Sequence, residues 1–451
     1  MYNRLILNEL GNWKQSPARK PLILRGARQV GKTTAVDLFA KTYPQYIRVN
    51  LEQQESANLF TQFDDVKKLA EALFFLQQKN WQQRSDTLLF IDEIQQVPRA
   101  ISMLRYFYEQ LPELHVIAAG SLLETVLQEN ISIPVGRVEY RVLRPVNFYE
   151  FLLALGETAA SKALTEMPVR DFMHESLMQL FHTYTLIGGM PEIIQQYAEH
   201  RDLVGLSNTY ESILVSYLDD VEKYARNSSM VQVIRHCIRS IFTEAGKRIS
   251  FAGFGNSNYK SREIGEALRI LERVMLMQLI YPSSMFRPPM ISNKRKKPRL
   301  QVFDTGLVNK YAGLQADIIG TKNLNEIFEG KIAEHIVGQE MLSTSFSSLH
   351  ELHFWIRDKP DTDAEVDFIF SFENLLIPVE VKSGASGKLK SLQLFMDSCP
   401  HDLAIRLYNG KMNIHPAETT NGKTYHLLNL PYYMASQLTS VLHWFIQSRM
   451  K

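Results

Sequence analysis

Gly26-Ala27-Arg28-Gln29-Val30-Gly31-Lys32-Thr33 decides how this chain is read. It is a complete G-x-x-x-x-G-K-[ST] phosphate-binding loop. Pro21-Leu22-Ile23-Leu24 before it is a short apolar run that reads as a buried strand, and Thr34-Ala35-Val36-Asp37-Leu38-Phe39-Ala40 after it has helix-compatible composition. A strand, a glycine loop and a helix N-terminus gather several backbone N–H groups around one anion. The glycines let the backbone turn tightly and approach phosphate closely. The cradle therefore runs from Gly26, Ala27, Arg28, Gln29 and Val30 through Gly31 to Lys32, Thr33 and Thr34. Lys32 is expected to reach the β- and γ-phosphates of ATP, and the Thr33 hydroxyl to ligate Mg²⁺.

At 451 residues the chain is too long for one ordinary core, so several domains are expected. The hydrophobic fraction is 45% and the charged fraction 22%, as in soluble globular proteins. A formal net charge of +2 gives no overall field that selects a polyanion, so a nucleic-acid site must be a local patch. Two distant cysteines, Cys237 and Cys399, make neither a disulfide framework nor a zinc cluster, which fits a reducing cytoplasm. No apolar run approaches the roughly 18–20 residues of a membrane helix, and Asn8 and Glu9 interrupt the N-terminus where a signal peptide is apolar.

Residues 1–150 alternate strand and helix patterns, the mark of a parallel α/β sheet. Ile47 to Leu51 looks like a second strand, and Val66 to about Gln83 is a long amphipathic stretch. Thr87-Leu88-Leu89-Phe90-Ile91-Asp92-Glu93-Ile94 is an apolar strand ending in two acids, the Walker B pattern. Asp92 is expected to hold Mg²⁺ and Glu93 to activate the attacking water. His115 to Ser121 reads as another buried strand; Ser121 either senses the γ-phosphate or caps a helix with Glu124, and both can hold. Arg137, taken to follow the last core strand, either stabilises transition-state charge in cis or in trans, or is a solvated surface arginine.

These stretches, with Gly120-Ser121, Gly136-Arg137 and Pro145-Val146-Asn147-Phe148-Tyr149-Glu150-Phe151, resemble the AAA-type ATPase domain of a large prokaryotic ATPase family. Members of that family carry a C-terminal domain of uncharacterised function. The resemblance implies ATP binding and hydrolysis and leaves the biological role open.

Residues 151–230 have helical patterning and read as a lid-like region. Gly188-Gly189-Met190-Pro191-Glu192 breaks it as a tight turn, a helix stop or a hinge packed near the nucleotide. Asp219, Asp220 and Glu222 read as a solvated helix face. Residues 231–320 read as a winged helix. Ile264, Leu268, Leu271 and Met275 fall at helical spacing, and the apolar runs Met277–Tyr281 and Leu300–Phe303 flank a loop. That loop carries Arg287, Lys294, Arg295, Lys296, Lys297 and Arg299 without an acid, so 287–299 is expected to contact phosphates, of DNA rather than RNA.

Residues 321–451 carry four residues in a telling order. Glu334 lies in a helix-like run, Asn325 to Met341, on a face with Ile327, Val337 and Met341, and Gly330 and Gly338 flank it at four residues. Asp367 lies in a strand-like run, and Glu380 and Lys382 share one face of the next strand, Val379 and Val381 the other. The set resembles the PD-(D/E)XK nuclease fold, which implies that Glu334, Asp367 and Glu380 bind Mg²⁺ and that Lys382 assists an attacking water. The rival expectations are a silent scaffold or a surface pair of Glu380 with Lys382.

Together these features predict an ATPase that couples nucleotide state to binding or processing of nucleic acid, with room for a homo-oligomer. The alternatives are a nucleotide-switched regulator with an inert nuclease fold, and an ATPase acting on a protein client.

Overall fold

Short apolar strands separated by helices build the first sheet. The computed structural model describes residues 3–120, 135–223, 225–320, 330–358, 364–382 and 389–450. Ser121, Glu124, Asn325 and Ile327 lie outside the described residues. The strands are β1 (Leu22–Arg25), β2 (Gln45–Asn50), β3 (Thr87–Asp92), β4 (His115–Ala119) and β5 (Glu139–Val142). All pair in parallel, in the order β2-β3-β4-β1-β5. Alternation decides what each face covers: Leu88 and Phe90 join the core shared with the rest of the chain, while Leu89 and Ile91 join a second core. That second core lies under the helices Gln54–Gln62, Val66–Leu76 and Pro98–Gln110. β1 and β3 are neighbours of β4, so the loops leaving them meet above the centre of the sheet, where strand order reverses.

Helices dominate the middle of the chain, among them His174–Ile187, Pro191–His200 and Ser207–Asp219. Gly188 ends the first of these at φ +75°, and an added Cβ would stand 2.5 Å from the Gly306 nitrogen, so only glycine is accommodated there. Asp304 locks this corner. Its buried carboxylate accepts from Gly189 N at 2.6 Å and from Leu307 N at 3.0 Å.

The helices Ser228–Thr243 and Ser261–Arg273 precede an antiparallel pair, β6 (Met277–Ser283) and β7 (Arg299–Val302). Ile264, Leu268 and Leu271 are buried as their spacing requires. β6 continues into parallel pairing with β8 (His353–Ile356), which pairs with β9 (Glu365–Val366). The sheet β7-β6-β8-β9 therefore crosses the boundary expected at residue 320.

The last sheet holds β10 (Phe368–Phe372), β11 (Leu375–Val381), β12 (Leu403–Tyr408), β13 (Asn413–Glu418) and β14 (Thr424–Pro431), in the order β10-β11-β12-β14-β13. The helix Lys331–Ser343 packs on it where Gly338 comes against Gln301 and Phe368. Gly330 does not belong to that helix, contrary to the sequence expectation: it is the left-handed residue that starts it, at φ +80°. Among the described residues, no helix is long and apolar enough to cross a membrane.

Candidate functional site

The loop between β1 and the helix Lys32–Ala40 is held open by three backbone positions. Gly26 sits at φ +150°, Gln29 at +61° and Gly31 at +89°. Gly26 also lies against the Leu143 carbonyl, which an added Cβ would meet. Beneath the loop Arg4 donates to Val30 O at 3.2 Å and to Arg144 O at 2.8 Å, while its charge is met by Glu150 at 2.9 Å. Lys32 is buried, and its ammonium donates to Gly26 O at 2.9 Å and Ala27 O at 2.8 Å, inside the curve of the loop. Burial pulls it down to about 8, against the opposing pull of Glu93 and Asp92, so it stays mainly protonated at neutral pH. Thr34 is exposed on the first turn of the helix.

β3 delivers the acids to this loop. Thr33 Oγ1 donates to Asp92 Oδ2 at 3.0 Å, so the Walker A hydroxyl and the Walker B carboxylate are in contact. Burial raises Asp92 above the usual carboxylate range, and Thr33 and Arg48 partly offset that. Arg48, on the neighbouring strand β2, reaches Asp92 Oδ2 at 3.1 Å. Glu93 adopts a left-handed backbone, φ 51° and ψ 44°, and its carboxylate accepts from Gln95 at 2.5 Å. That turn aims Glu93 away from the strand line, beside Lys32 and Asp92.

Arg137 is elsewhere. It precedes β5, whose Glu139 pairs with Leu22 at the start of β1, whereas the loop leaves from the end of β1. A strand of four residues, roughly 13 Å, separates the two ends. Its guanidinium holds Glu109 at 3.2 Å. The expected role in cis is therefore withdrawn.

The helical middle touches the loop directly. Asp220 is buried rather than solvated, and it pairs with Arg28 in the loop and with Lys223 at 3.0 Å. Tyr217 OH donates to Arg28 O at 2.8 Å. Pro191, from the glycine turn, faces Gly31. Asp220 was readable from the sequence: Tyr210, Ile213, Tyr217 and Asp220 recur at helical spacing, and all four are buried.

A second polar cluster lies in the C-terminal half. Phe368 pairs with Val379, so Asp367 and Glu380 are cross-strand neighbours on one face of the β10–β11 hairpin. Asp367 Oδ2 accepts from Val381 N at 2.8 Å. Glu380 pairs with Lys382 at 2.8 Å and is buried, so this is not a surface pair. Burial, with Glu380 and Glu334 nearby, pushes Asp367 well above its ordinary range, and burial raises Glu380 too. Lys331, Lys382 and Lys390 stand around this cleft of about 270 Å³.

The residue that organises the cluster is Arg299. It was expected in a solvated basic loop, but it begins β7 and is 4% exposed. Its guanidinium lies 3.3 Å from Glu334 and 3.8 Å from Asp367, pairs closely with Glu365, and donates to Asp367 O at 3.1 Å. Phe354 and Phe368 flank it at 5.0 and 5.7 Å. The expected Mg²⁺ site of Glu334, Asp367 and Glu380 does not fit this arrangement. Arg299 and Lys382 supply the positive charge, and among the described residues no group of three ligands is set to hold a metal ion. Arg299 and Gln301 alternating with the apolar Leu300 and Val302, so that two polar side chains share one face of a short strand, was the available signal.

Residues 18–152 match the family model described as "AAA domain". Residues 178–318 match a domain of unknown function (DUF8612), and residues 329–433 another (DUF4143). No curated protein matches. Among solved structures the chain is similar to the Walker-type ATPase PABY2304 of Pyrococcus abyssi, at 14% identity and TM-score 0.44, covering 69% of this chain and 96% of that one. It is also similar to the Aeropyrum pernix ORC1 protein in complex with DNA, at 15% identity and TM-score 0.30, covering 69% and 93%. The matched model, the parallel five-stranded sheet and the contact of Thr33 with Asp92 agree: residues 18–152 form an AAA-type ATPase domain.

Proposed function

We propose that ATP binding and hydrolysis at Lys32, Thr33, Asp92 and Glu93 drive the helical middle, which passes nucleotide state to a nucleic-acid-binding surface. The observation that carries the proposal is the grip of Asp220 and Tyr217 on Arg28: the middle helices are tied to the phosphate-binding loop itself. Lys32 neutralises the β- and γ-phosphates, and Glu93 orients the attacking water. Thr33 Oγ1 and the Asp92 carboxylate are adjacent hard oxygen donors suited to Mg²⁺, which supplies charge neutralisation at the phosphates when bound.

The nucleic-acid surface is the β6–β7 connection, read as the wing of a winged helix. Arg287, Lys294, Arg295, Lys296 and Lys297 are exposed on it, and DNA is the favoured partner. We read helix Lys331–Ser343, the hairpin β10–β11 and strand β12 as the core of a PD-(D/E)XK-like unit. The Arg299 ion pairs favour the reading in which this nuclease-like unit binds without cleaving. Replacing Lys294, Arg295, Lys296 and Lys297 with Ala should weaken duplex DNA binding and flatten the slope of log affinity against log salt by about 0.9 per lost phosphate contact. Unchanged affinity and slope would remove DNA from the proposal.

A further inference from the structure

Alternation along β2 sends Ile47 and Val49 into the second core and turns Tyr46 and Arg48 to the opposite face, toward the helix Lys32–Ala40. Asp37 stands on that helix one turn after Thr33, and Tyr46 OH donates to its Oδ1 at 2.5 Å. Arg48 reaches between two carboxylates. Its Nη1 lies 3.2 Å from Asp37 Oδ2, and its Nη2 lies 3.1 Å from Asp92 Oδ2. The arginine side chain is 41% exposed, so it moves without opening a core.

The two acids differ in what else they do. Asp92 is the Walker B carboxylate in contact with Thr33, whereas Asp37 is fixed by Tyr46. A carboxylate offers about four lone-pair sites. On Asp92, Thr33 Oγ1 and Arg48 both donate to Oδ2, and Glu93 N donates to Oδ1 at 3.2 Å. A divalent cation drawn to Asp92 therefore meets a carboxylate whose acceptor sites are largely filled. It also meets the repulsion of a guanidinium that Asp37 keeps close by once Asp92 is given up. The other cations of the site are engaged elsewhere: Lys32 donates to Gly26 O and Ala27 O, and Arg28 pairs with Asp220.

With Thr33 and Asp92 read as the Mg²⁺ donors, on which this rests, we infer that Arg48 is a positioning residue that competes with Mg²⁺ for Asp92. Asp37 is its second seat, and the exchange sets how tightly the nucleotide complex holds the metal.

The test is the linkage between metal and nucleotide. The β,γ-imido analogue of ATP is titrated calorimetrically into the full chain, once with excess Mg²⁺ and once with a chelator in its place. The ratio of the two affinities reports how tightly the complex holds Mg²⁺. In the unmodified chain Mg²⁺ should tighten binding, and Asp92→Asn should lose most of that gain. Arg48→Met keeps the stem beside Phe90 and removes the charge, so the ratio should rise about threefold to tenfold. Arg48→Lys keeps the charge and should stay near the unmodified value, which a role in packing alone does not predict. An unchanged or smaller ratio in Arg48→Met, or an equal rise in Arg48→Lys, overturns the competition and leaves Asp92 as the metal donor. A ratio of one in the unmodified chain, or a gain that survives Asp92→Asn, removes Asp92 as the metal donor and the competition with it.

Discussion

Arg299→Met removes the one guanidinium shared by Glu334, Glu365 and Asp367 while keeping most of the side-chain volume. Arg299 is almost fully buried, so solvent cannot take over its role. Breaking a buried ion pair by deleting one partner costs about 3–5 kcal/mol, because the remaining charge is stranded. Here three carboxylates lose a common cation; Arg248 still reaches Glu365 at 3.3 Å and Lys331 reaches Glu334 at 3.1 Å, which holds the loss within that range. The assay is native-state hydrogen exchange, because the chain has several cores and a single unfolding free energy is not defined for it. Amides of β7, β10 and β11 should lose about 3–5 kcal/mol of protection, while those of β2 and β3 should keep theirs. Arg299→Lys should recover only part, since one ammonium cannot span three acids as a fork does. A cycle with Glu334→Gln should be strongly non-additive, since the second change removes a charge that the first has stranded. Unchanged protection in Arg299→Met, or additive effects in the cycle, would refute the role of Arg299 as the shared counter-ion.

Asp220→Asn should free the helix Ser207–Asp219 from the phosphate-binding loop. With Arg28 one-third exposed, the loss is about 1–2 kcal/mol, visible as faster exchange at 207–223, and the swap Arg28→Asp with Asp220→Arg should restore part of it; unaltered exchange would break the proposed coupling. Glu340 carries a pH dependence. It is buried, it accepts from Tyr184 OH at 2.8 Å and Phe148 N at 3.0 Å, and burial raises it from 4.5 to about 7. The folded state therefore holds a proton that the unfolded state releases, so its contribution is full below pH 4.5 and is lost as pH rises through about 7. At about 1.4 kcal/mol per pH unit the window is worth roughly 3 kcal/mol. Glu340→Gln should melt higher than the unmodified chain at pH 8, with the advantage vanishing near pH 5; a pH-independent difference would show that Glu340 is ionised throughout. Gly188→Ala should destabilise by about 1–3 kcal/mol or more, from the left-handed backbone together with the clash against Gly306, and unchanged melting would mean the corner yields.

The ATPase site was legible because its signals are local. A strand, a glycine loop and a helix start lie within one short stretch, and β3 ends at Asp92 with Glu93 in the turn that follows. Asp220 was equally local, directly after the helix Ser207–Asp219 and in line with its buried face, but adjacent Asp219 and nearby Glu222 made the segment look uniformly acidic. Other features depended on pairing between distant segments. Arg137 could be placed only once β5 was known to be the fifth strand, beside β1. Arg299 meets the acids because β6 pairs with β7 on one side and with β8 on the other, a register set by tertiary contacts. Asn325 lies outside the described residues, and within them the helix begins at Lys331, after Gly330 in a left-handed backbone that the residue pattern alone does not reveal. Glu334, Asp367, Glu380 and Lys382 were singled out from the sequence and lie together in the structure, but Arg299 was not grouped with them, since it stands more than 30 residues before the first of them in a run of basic residues.

ATP turnover measured alongside ATP affinity, in the unmodified chain, Lys32→Ala and Glu93→Gln, tests the central claim most directly. Lys32→Ala should lose tight ATP binding, because it removes the buried ammonium enclosed by the loop. Glu93→Gln leaves the contact of Thr33 with Asp92 in place, so it should bind ATP normally and turn it over about 10²–10⁴-fold more slowly. Normal affinity in folded Lys32→Ala, or an equal loss of binding in both variants, would contradict ATP hydrolysis at this site.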